Sequence, residues 1–289
     1  MGNDDPAALE SWIGRTERVA DEATRAPALA LAATLDREAF DLDRGDPLPP
    51  LWHWIYFTPK APAREIGADG HPRRGGFLPP VSLPRRMWAG GRLEFHAPIR
   101  IGDALTRTST IADVRRREGK TGALVFVTVR HVIARDGVLL LTEEHDIVYR
   151  DLPRPGVAPP SPEPAPSDES TAREVVPDPV LLFRYSALTF NGHRIHYDRT
   201  YTTEVEGYPG LIVHGPLIAT LLVDEALRRR PGLVVRRFAF KAVQPLFDIH
   251  PFGLCCRFGS GAGIDLWARG HDGRLAMSAQ LEAASQGPT

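Results

Sequence analysis

The run FNGHRIHYD, residues 190–198, sets His193 and His196 three positions apart, with Asn191 five before the second histidine and Asp198 two after it. Residues of these types can ligate a metal, exchange protons, or form an ordinary polar loop. A metal site would use His193 and His196 with His214 or Asp198. A spacing of three brings two imidazoles together on a helix, yet Asn191 and Gly192 read as loop and the third ligand is undefined. An acid/base site would rest on imidazole, whose ordinary pKa of roughly 6.5 lies near neutrality. A surface loop accounts more readily for His193 than for His196. His214 has its own plain account, as a polar residue near the start of a buried helix that holds the turn by hydrogen bonds.

These residues need elements to position them. PLIATLLVDEALRRRPG begins with Pro216, a favourable first-turn residue, and stops at Pro231 and Gly232, with arginines in its last turn opposing the helix dipole. Leu217, Ile218, Leu221, Leu222 and Val223 spread around most of its circumference, which predicts a buried helix. PALALAATLDRE, residues 27–38, has the same construction with smaller side chains. Strand-like stretches follow each helix: ALVFVTVRHVI and VLLLTEEHDIVYRD in the first half, LCCRFG and LAMSAQLEA in the second, with RDG and HDG as turn signals.

Two stretches echo each other. LEFHAPIRIGD (93–103) and FAFKAVQPLFD (238–248) share their length, an alternating apolar start, an alanine at the fifth place and a final aspartate, offset by 248 − 103 = 145 positions. Between the echoes, seven of the 27 prolines fall within residues 152–167, a composition that predicts a stiff, extended linker. The chain thus divides into residues 1–151, a linker at 152–172 and residues 173–289. The helix starts are offset by 216 − 27 = 189, which is 44 more than the echo, so the first half carries an insertion of about that size. It holds PPLWHWIYF and GHPRRGGFLPPVSLPRRMWAGG, and its aromatic content predicts a long loop that packs on something.

A chain of 289 residues that is 43% hydrophobic can bury a substantial core, which argues against disorder. Lys+Arg of 35 against Asp+Glu of 36 gives a net charge of −1, which points away from nucleic-acid and membrane-surface partners and towards small molecules. Only Lys60, Lys120 and Lys241 are lysines; the arginines that make up the rest suit planar carboxylate or phosphate recognition, and equally fit a GC-rich genome. Cys255 and Cys256 are neighbours, so they form neither a normal disulfide framework nor a CxxC ligand pair, and a reducing compartment is implied. The acidic N-terminus lacks the basic start of a signal peptide, and no apolar run reaches spanning length; a soluble, cytoplasmic protein is expected, although Met1 and Gly2 superficially resemble a lipidation start.

The segment SALTFNGHRIHYD with EGYPGLIVHGPLIATLL resembles the hydratase motif of the MaoC-like, R-specific enoyl-thioester hydratases, a hot-dog family whose signature is DxNPxH followed by an HG that opens the central helix. Asn191 stands at the Asp place, His193 at the Asn place and His196 at the His place. The motif covers about forty residues, and the two halves as a whole resemble the double hot-dog members. With GGFLPPVSLPRRMWAGGRLEF upstream, the variant is similar to a subgroup associated with hydration of mesaconyl- or itaconyl-CoA to citramalyl-CoA and with mitochondrial-type 3-hydroxyacyl-thioester dehydratases. The resemblance implies an α+β double hot-dog fold, with antiparallel sheets each wrapped around a central helix, and reversible hydration of a 2-enoyl-CoA.

It also implies roles. His196 would take a proton from water and return one to the α-carbon; Asn191, which cannot ionise, would only orient the water; a backbone N–H at Gly215 would meet the thioester oxygen at the positive end of the helix. His193, Tyr185 and His214 would surround the substrate. Arg85, Arg86 or Arg184 would hold a free carboxylate bidentately, and Arg73 and Arg74 would meet the CoA phosphates. Each of these arginines has solvated surface as its ordinary alternative. The first half, lacking a matching loop, would supply the acyl pocket and CoA contacts. Neither metal nor cofactor is expected, because the CoA thioester is itself the substrate; monomer and homo-oligomer are both compatible. Straight-chain 3-hydroxyacyl-thioester dehydration, a hot-dog thioesterase with a carboxylate near the scissile carbonyl, and a non-catalytic acyl-CoA-binding protein are the competing functions.

Overall fold

The computed structural model describes residues 6–37, 41–119, 122–151, 162–259 and 261–285. A short α1 (Pro6–Glu10) leads into β1 (Thr16–Glu22) and α2 (Arg25–Thr34), then a long connection with a 3₁₀ turn at Trp52–Ile55, and the strands β2 (Arg85–Phe95), β3 (Ala104–Gly119), β4 (Gly122–Arg135) and β5 (Val138–Arg150). The second half repeats the plan with β6 (Thr171–Val175), α3 (Pro179–Leu188), α4 (Gly215–Arg229), β7 (Leu233–Ala242), β8 (Phe252–Phe258), β9 (Gly263–Gly270) and β10 (Leu275–Ser285).

All ten strands join one antiparallel sheet in the order β1-β3-β4-β5-β2-β7-β10-β9-β8-β6. Read from its two ends inwards, the order is the same in both halves, which meet edge to edge where β2 pairs with β7. At this seam Leu93 lies opposite Phe238. These are the first residues of the two echoes, so the 145-position repeat marks a local two-fold relation. The terminal aspartates of the echoes also correspond: Asp103 O accepts the Ala23 N–H ahead of α2, and Asp248 Oδ1 accepts the Leu211 N–H ahead of α4. Each pins the chain that enters its half's helix.

The RDG turn closes the β4–β5 hairpin, with Arg135 opposite Val138 and both Asp136 and Gly137 at positive φ, the backbone a two-residue type I′ turn requires. Along α4 every residue from Leu217 to Ala226 is buried, as its apolar circumference predicts, and it lies on β7, β8, β9 and β10. The first-half helix begins two residues earlier than expected and stops at Thr34 rather than running to 38. Asp36 takes φ +51, and Arg228 of α4 donates to the carbonyls of Leu35 and Asp36, which turns the chain out of the helix. Residue 38 lies outside the described residues.

Of the stretch expected to be linker, residues 152–161 lie outside the described residues. Ala165 N–H bonds Gly273 O, and β6 opens at Thr171. Cys255 and Cys256 are free thiols, fully buried. No helix among the described residues is long and apolar enough to cross a membrane.

Candidate active site

The histidine loop hangs between two helices. Asp178 caps α3 by accepting the Leu181 N–H, and Pro179 fits the first turn. The helix ends at Leu188; Phe190 adopts φ +50 and Asn191 N–H returns to Ser186 O, which turns the chain sharply. Asn191 Oδ1 then accepts the His193 N–H at 3.0 Å, a local Asx turn. A 3₁₀ turn, Arg194–His196, follows. Asp198 is occupied with structure: its carboxylate pairs with Arg194 at 2.7 Å and accepts the Tyr201 N–H.

His196 is buried, and its Nδ1 lies 2.7 Å from the carbonyl of Ile212. A carbonyl only accepts, so Nδ1 carries the proton and Nε2 is left as the lone-pair nitrogen. Burial lowers its pKa to about 4, so the ring is neutral and able to act as a base at neutral pH. His214 stacks on it with centroids 3.7 Å apart. Rather than capping α4, the His214 side chain turns its Nε2 to Ser186 Oγ at 2.8 Å, while its buried Nδ1 has no hydrogen-bond partner among the described residues. Burial keeps His214 neutral as well. Tyr185 packs edge-on against His214 at 5.1 Å. Gly215 opens α4 behind His214, and a Cβ there would meet nothing within 4 Å, so a ligand atom has room to approach the helix end.

The insertion of the first half reaches this loop. A Cβ on Gly70 would fall 1.8 Å from Gly192 O, so only glycine, here at φ +89, lets the two backbones touch. Arg194 fastens the contact by donating its N–H to Asp69 O and its guanidinium to Ala68 O. The insertion thereby brings His71 onto His193, with centroids 4.0 Å apart, and His193 stands edge-on to His196 at 5.6 Å. Burial lowers the pKa of His193 to about 2. Asp69, His71 and His193 are the group among the described residues whose ligand-type atoms lie within 4.8 Å of one another. Within that group, Asp69 Oδ2 and His71 Nδ1 are joined by a hydrogen bond of 3.2 Å.

A cavity of about 870 Å³ opens beside the loop, walled there by Tyr185, Ser186, Asn191, Gly192, Pro216 and His71. His196 is not part of the wall; it connects to it through His214 and Ser186. Of the arginines expected around substrate, Arg86 lies in the wall. Arg85 instead bonds Glu206 O and lies over Tyr208, and Arg184 is exposed on α3, outside the wall. Arg74 binds the carbonyls of Val81, Leu83 and Pro84, strapping its own loop, and Arg73 is exposed outside the wall.

The first half also contributes a polar group that sequence reasoning missed. Glu143 is 2% exposed and accepts from His53 Nε2 at 3.0 Å, Trp54 Nε1 at 2.7 Å and His145 Nε2 at 2.5 Å. His131 bonds Ser109, and Arg107, its Nε buried without a hydrogen-bond partner among the described residues, lies over Phe57. Trp54, Trp88, Arg107, His131, Glu143 and His145 all line the cavity. The two-residue strand period was the available signal. In β4 the buried face reads Val125, Val127, Val129, His131, Ile133, and in β5 Glu143 and His145 share a face with Leu141 and Tyr149.

Residues 51–248 match the hydroxyacyl-thioester dehydratase type 2 family. The mesaconyl-C(4)-CoA hydratase of Chloroflexus aurantiacus is 50% identical over 272 residues, which is 94% of this chain and 96% of that protein. The structure of a MaoC-like dehydratase from Phytophthora capsici superposes with a TM-score of 0.71 at 13% identity, covering 98% of this chain and 100% of that one. A Mycobacterium tuberculosis protein described as having a double hotdog fold gives 0.60 at 14% identity, over 94% and 96%. The sheet order and central helix are thus those of a double hot-dog, and the chain belongs to the hydroxyacyl-thioester dehydratase type 2 family of MaoC-like hydro-lyases.

Proposed function

We propose that this enzyme adds water reversibly across the double bond of a short, branched, dicarboxylic 2-enoyl-CoA, of the mesaconyl-C4-CoA or itaconyl-CoA kind, to give citramalyl-CoA. The observation that carries the acyl class is the pair of cationic side chains in the cavity wall, Arg86 and Arg107, which suit a free carboxylate, set among Trp54, Phe57, Trp88 and Ile133, which suit the hydrocarbon part of the acyl group. The name of the Chloroflexus aurantiacus relative points the same way.

His196 Nε2 takes a proton from the water as its oxygen bonds to the β-carbon. The π electrons move through the α-carbon onto the thioester oxygen, where the Gly215 N–H at the start of α4 meets the developing charge. The α-carbon then takes that proton from the His196 imidazolium, which restores the neutral ring. Arg86 holds the free carboxylate. The family's name supports hydroxyacyl-thioester dehydration, for which a straight-chain 3-hydroxyacyl substrate is the second assignment.

Turnover of mesaconyl-C4-CoA, itaconyl-CoA, crotonyl-CoA and a trans-2-octenoyl thioester by the purified protein decides between them. A kcat/KM at least tenfold higher for a dicarboxylic substrate is expected. Preference for octenoyl or crotonyl thioester would assign lipid dehydration, and tight binding with no turnover would leave a binding protein.

A further inference from the structure

The site has an unfilled chemical role. A water that attacks an alkene while being deprotonated is best held by two acceptors, one for each hydrogen, and His196 Nε2 is one. Asn191 stands where the resemblance places a carboxylate, but it cannot ionise and its Oδ1 already accepts the His193 N–H at 3.0 Å.

The insertion supplies another base. His71 lies in the cavity wall. Its Nδ1 is 3.2 Å from Asp69 Oδ2, and its backbone N–H bonds Asp69 Oδ1 at 3.0 Å, so the carboxylate fixes both ring and chain. With Nδ1–H donating to Asp69 Oδ2, Nε2 is the free acceptor, as in His196. The pair is an imidazole backed by a carboxylate, a base with one negative charge, and so it matches an aspartate in charge. Asp69 is suited to this, because the hydrogen bonds from the ring and backbone of His71 outweigh burial and hold its carboxyl well below the ordinary range. The groups around His71 are Asp69, His193, Arg74 and Arg86, with His196 beyond His193. The Gly70–Gly192 contact and the Arg194 bonds to residues 68 and 69 keep the insertion in register with the catalytic loop.

We infer that His71, oriented by Asp69, is a second catalytic residue: it accepts one hydrogen of the reacting water while His196 accepts the other, in place of the ionisable side chain that Asn191 is not. This rests on the hydratase assignment above. In the hydration direction one O–H bond breaks towards His196, the C–O bond forms at the β-carbon, and the resulting enolate takes its α-proton from the imidazolium; His71 keeps the remaining O–H hydrogen-bonded throughout, so no oxidant or co-reactant is needed.

The test compares wild type, His71→Ala, His71→Gln and Asp69→Asn on whichever enoyl-CoA the wild type hydrates fastest, with unfolding midpoints measured alongside. His71→Ala should lose about 100-fold in kcat with KM within about threefold, and added imidazole should restore at least a tenth of wild-type kcat by entering the vacated wall. His71→Gln, similar in reach but not a base, should fall comparably, and Asp69→Asn about tenfold. A His71→Ala kcat within threefold of wild type, or a loss in His71→Ala and His71→Gln that imidazole leaves untouched while Asp69→Asn is unaffected, would overturn the assignment. Wild type that hydrates none of the thioesters would instead sink the hydratase assignment, and the role of His71 with it.

Discussion

Acidification reads out how deeply the histidines are buried. His196 falls from 6.5 to about 4 and His193 from 6.5 to about 2 on folding, in both cases mainly by burial. Between the unfolded and folded values the unfolded chain binds a proton that the native ring refuses, so stability rises with pH and is lost as pH drops below about 6.5. At pH 5 the unfolded imidazoles are almost all charged and the native ones almost all neutral, which costs about 2 kcal/mol per ring relative to pH 7. The two rings together cost about 4 kcal/mol, a large part of a typical stability of 5–15 kcal/mol. His131, His214 and His71, also depressed by burial, add in the same direction. The depressed carboxyls Asp69 and Glu143 lose stability in the same direction but add little at pH 5, because their contribution is lost only as pH falls through and below the ordinary carboxylate range. Urea unfolding followed by tryptophan fluorescence at pH 7, 6 and 5 should show at least this loss. A free energy of unfolding constant within about 1 kcal/mol from pH 7 to 5 would refute the burial argument.

Three substitutions test other parts of the account. Gly70→Ala places a Cβ 1.8 Å from Gly192 O at a φ of +89, so it should destabilise by about 2 kcal/mol or more and lower kcat by parting the insertion from the loop, as chemical unfolding and turnover together would show. Glu143→Gln leaves one acceptor oxygen for three donors, the buried His53 and the partly buried Trp54 and His145, and should cost about 3 kcal/mol in urea unfolding. Arg86→Gln should raise KM about tenfold or more for a dicarboxylic enoyl-CoA and leave crotonyl-CoA unchanged; equal effects on both would remove Arg86 from the carboxylate site.

Much of this architecture is legible in local sequence. The echo of 93–103 in 238–248 works because both stretches occupy the same place in their half, and α4 is visible because burial on all sides leaves no polar face. His196 and the helix entrance are close in sequence, so one motif contains them both. What escapes is what local pattern does not encode. Asp69 and His71 lie about 120 positions before the loop they touch, and they reach it through the Gly70–Gly192 backbone contact, the Arg194 bonds to residues 68 and 69 and the stacking of His71 on His193. Arg74 and Arg85 satisfy the charge pattern of ligand-binding residues, yet each binds backbone carbonyls that the sequence does not reveal. Asn191 has a site residue's position, but its oxygen serves the turn. Glu143 and His145 were accessible in principle, because a strict period of two puts them on the inward face of β5.

The most direct test is of His196 itself. The enoyl-thioester absorbance of mesaconyl-C4-CoA is followed with wild type and His196→Ala, both confirmed folded. The account predicts rapid loss of absorbance with wild type and a kcat lower by a factor of about 10²–10⁴ in the variant, because Nε2 is the base. Equal rates in the two proteins would contradict it.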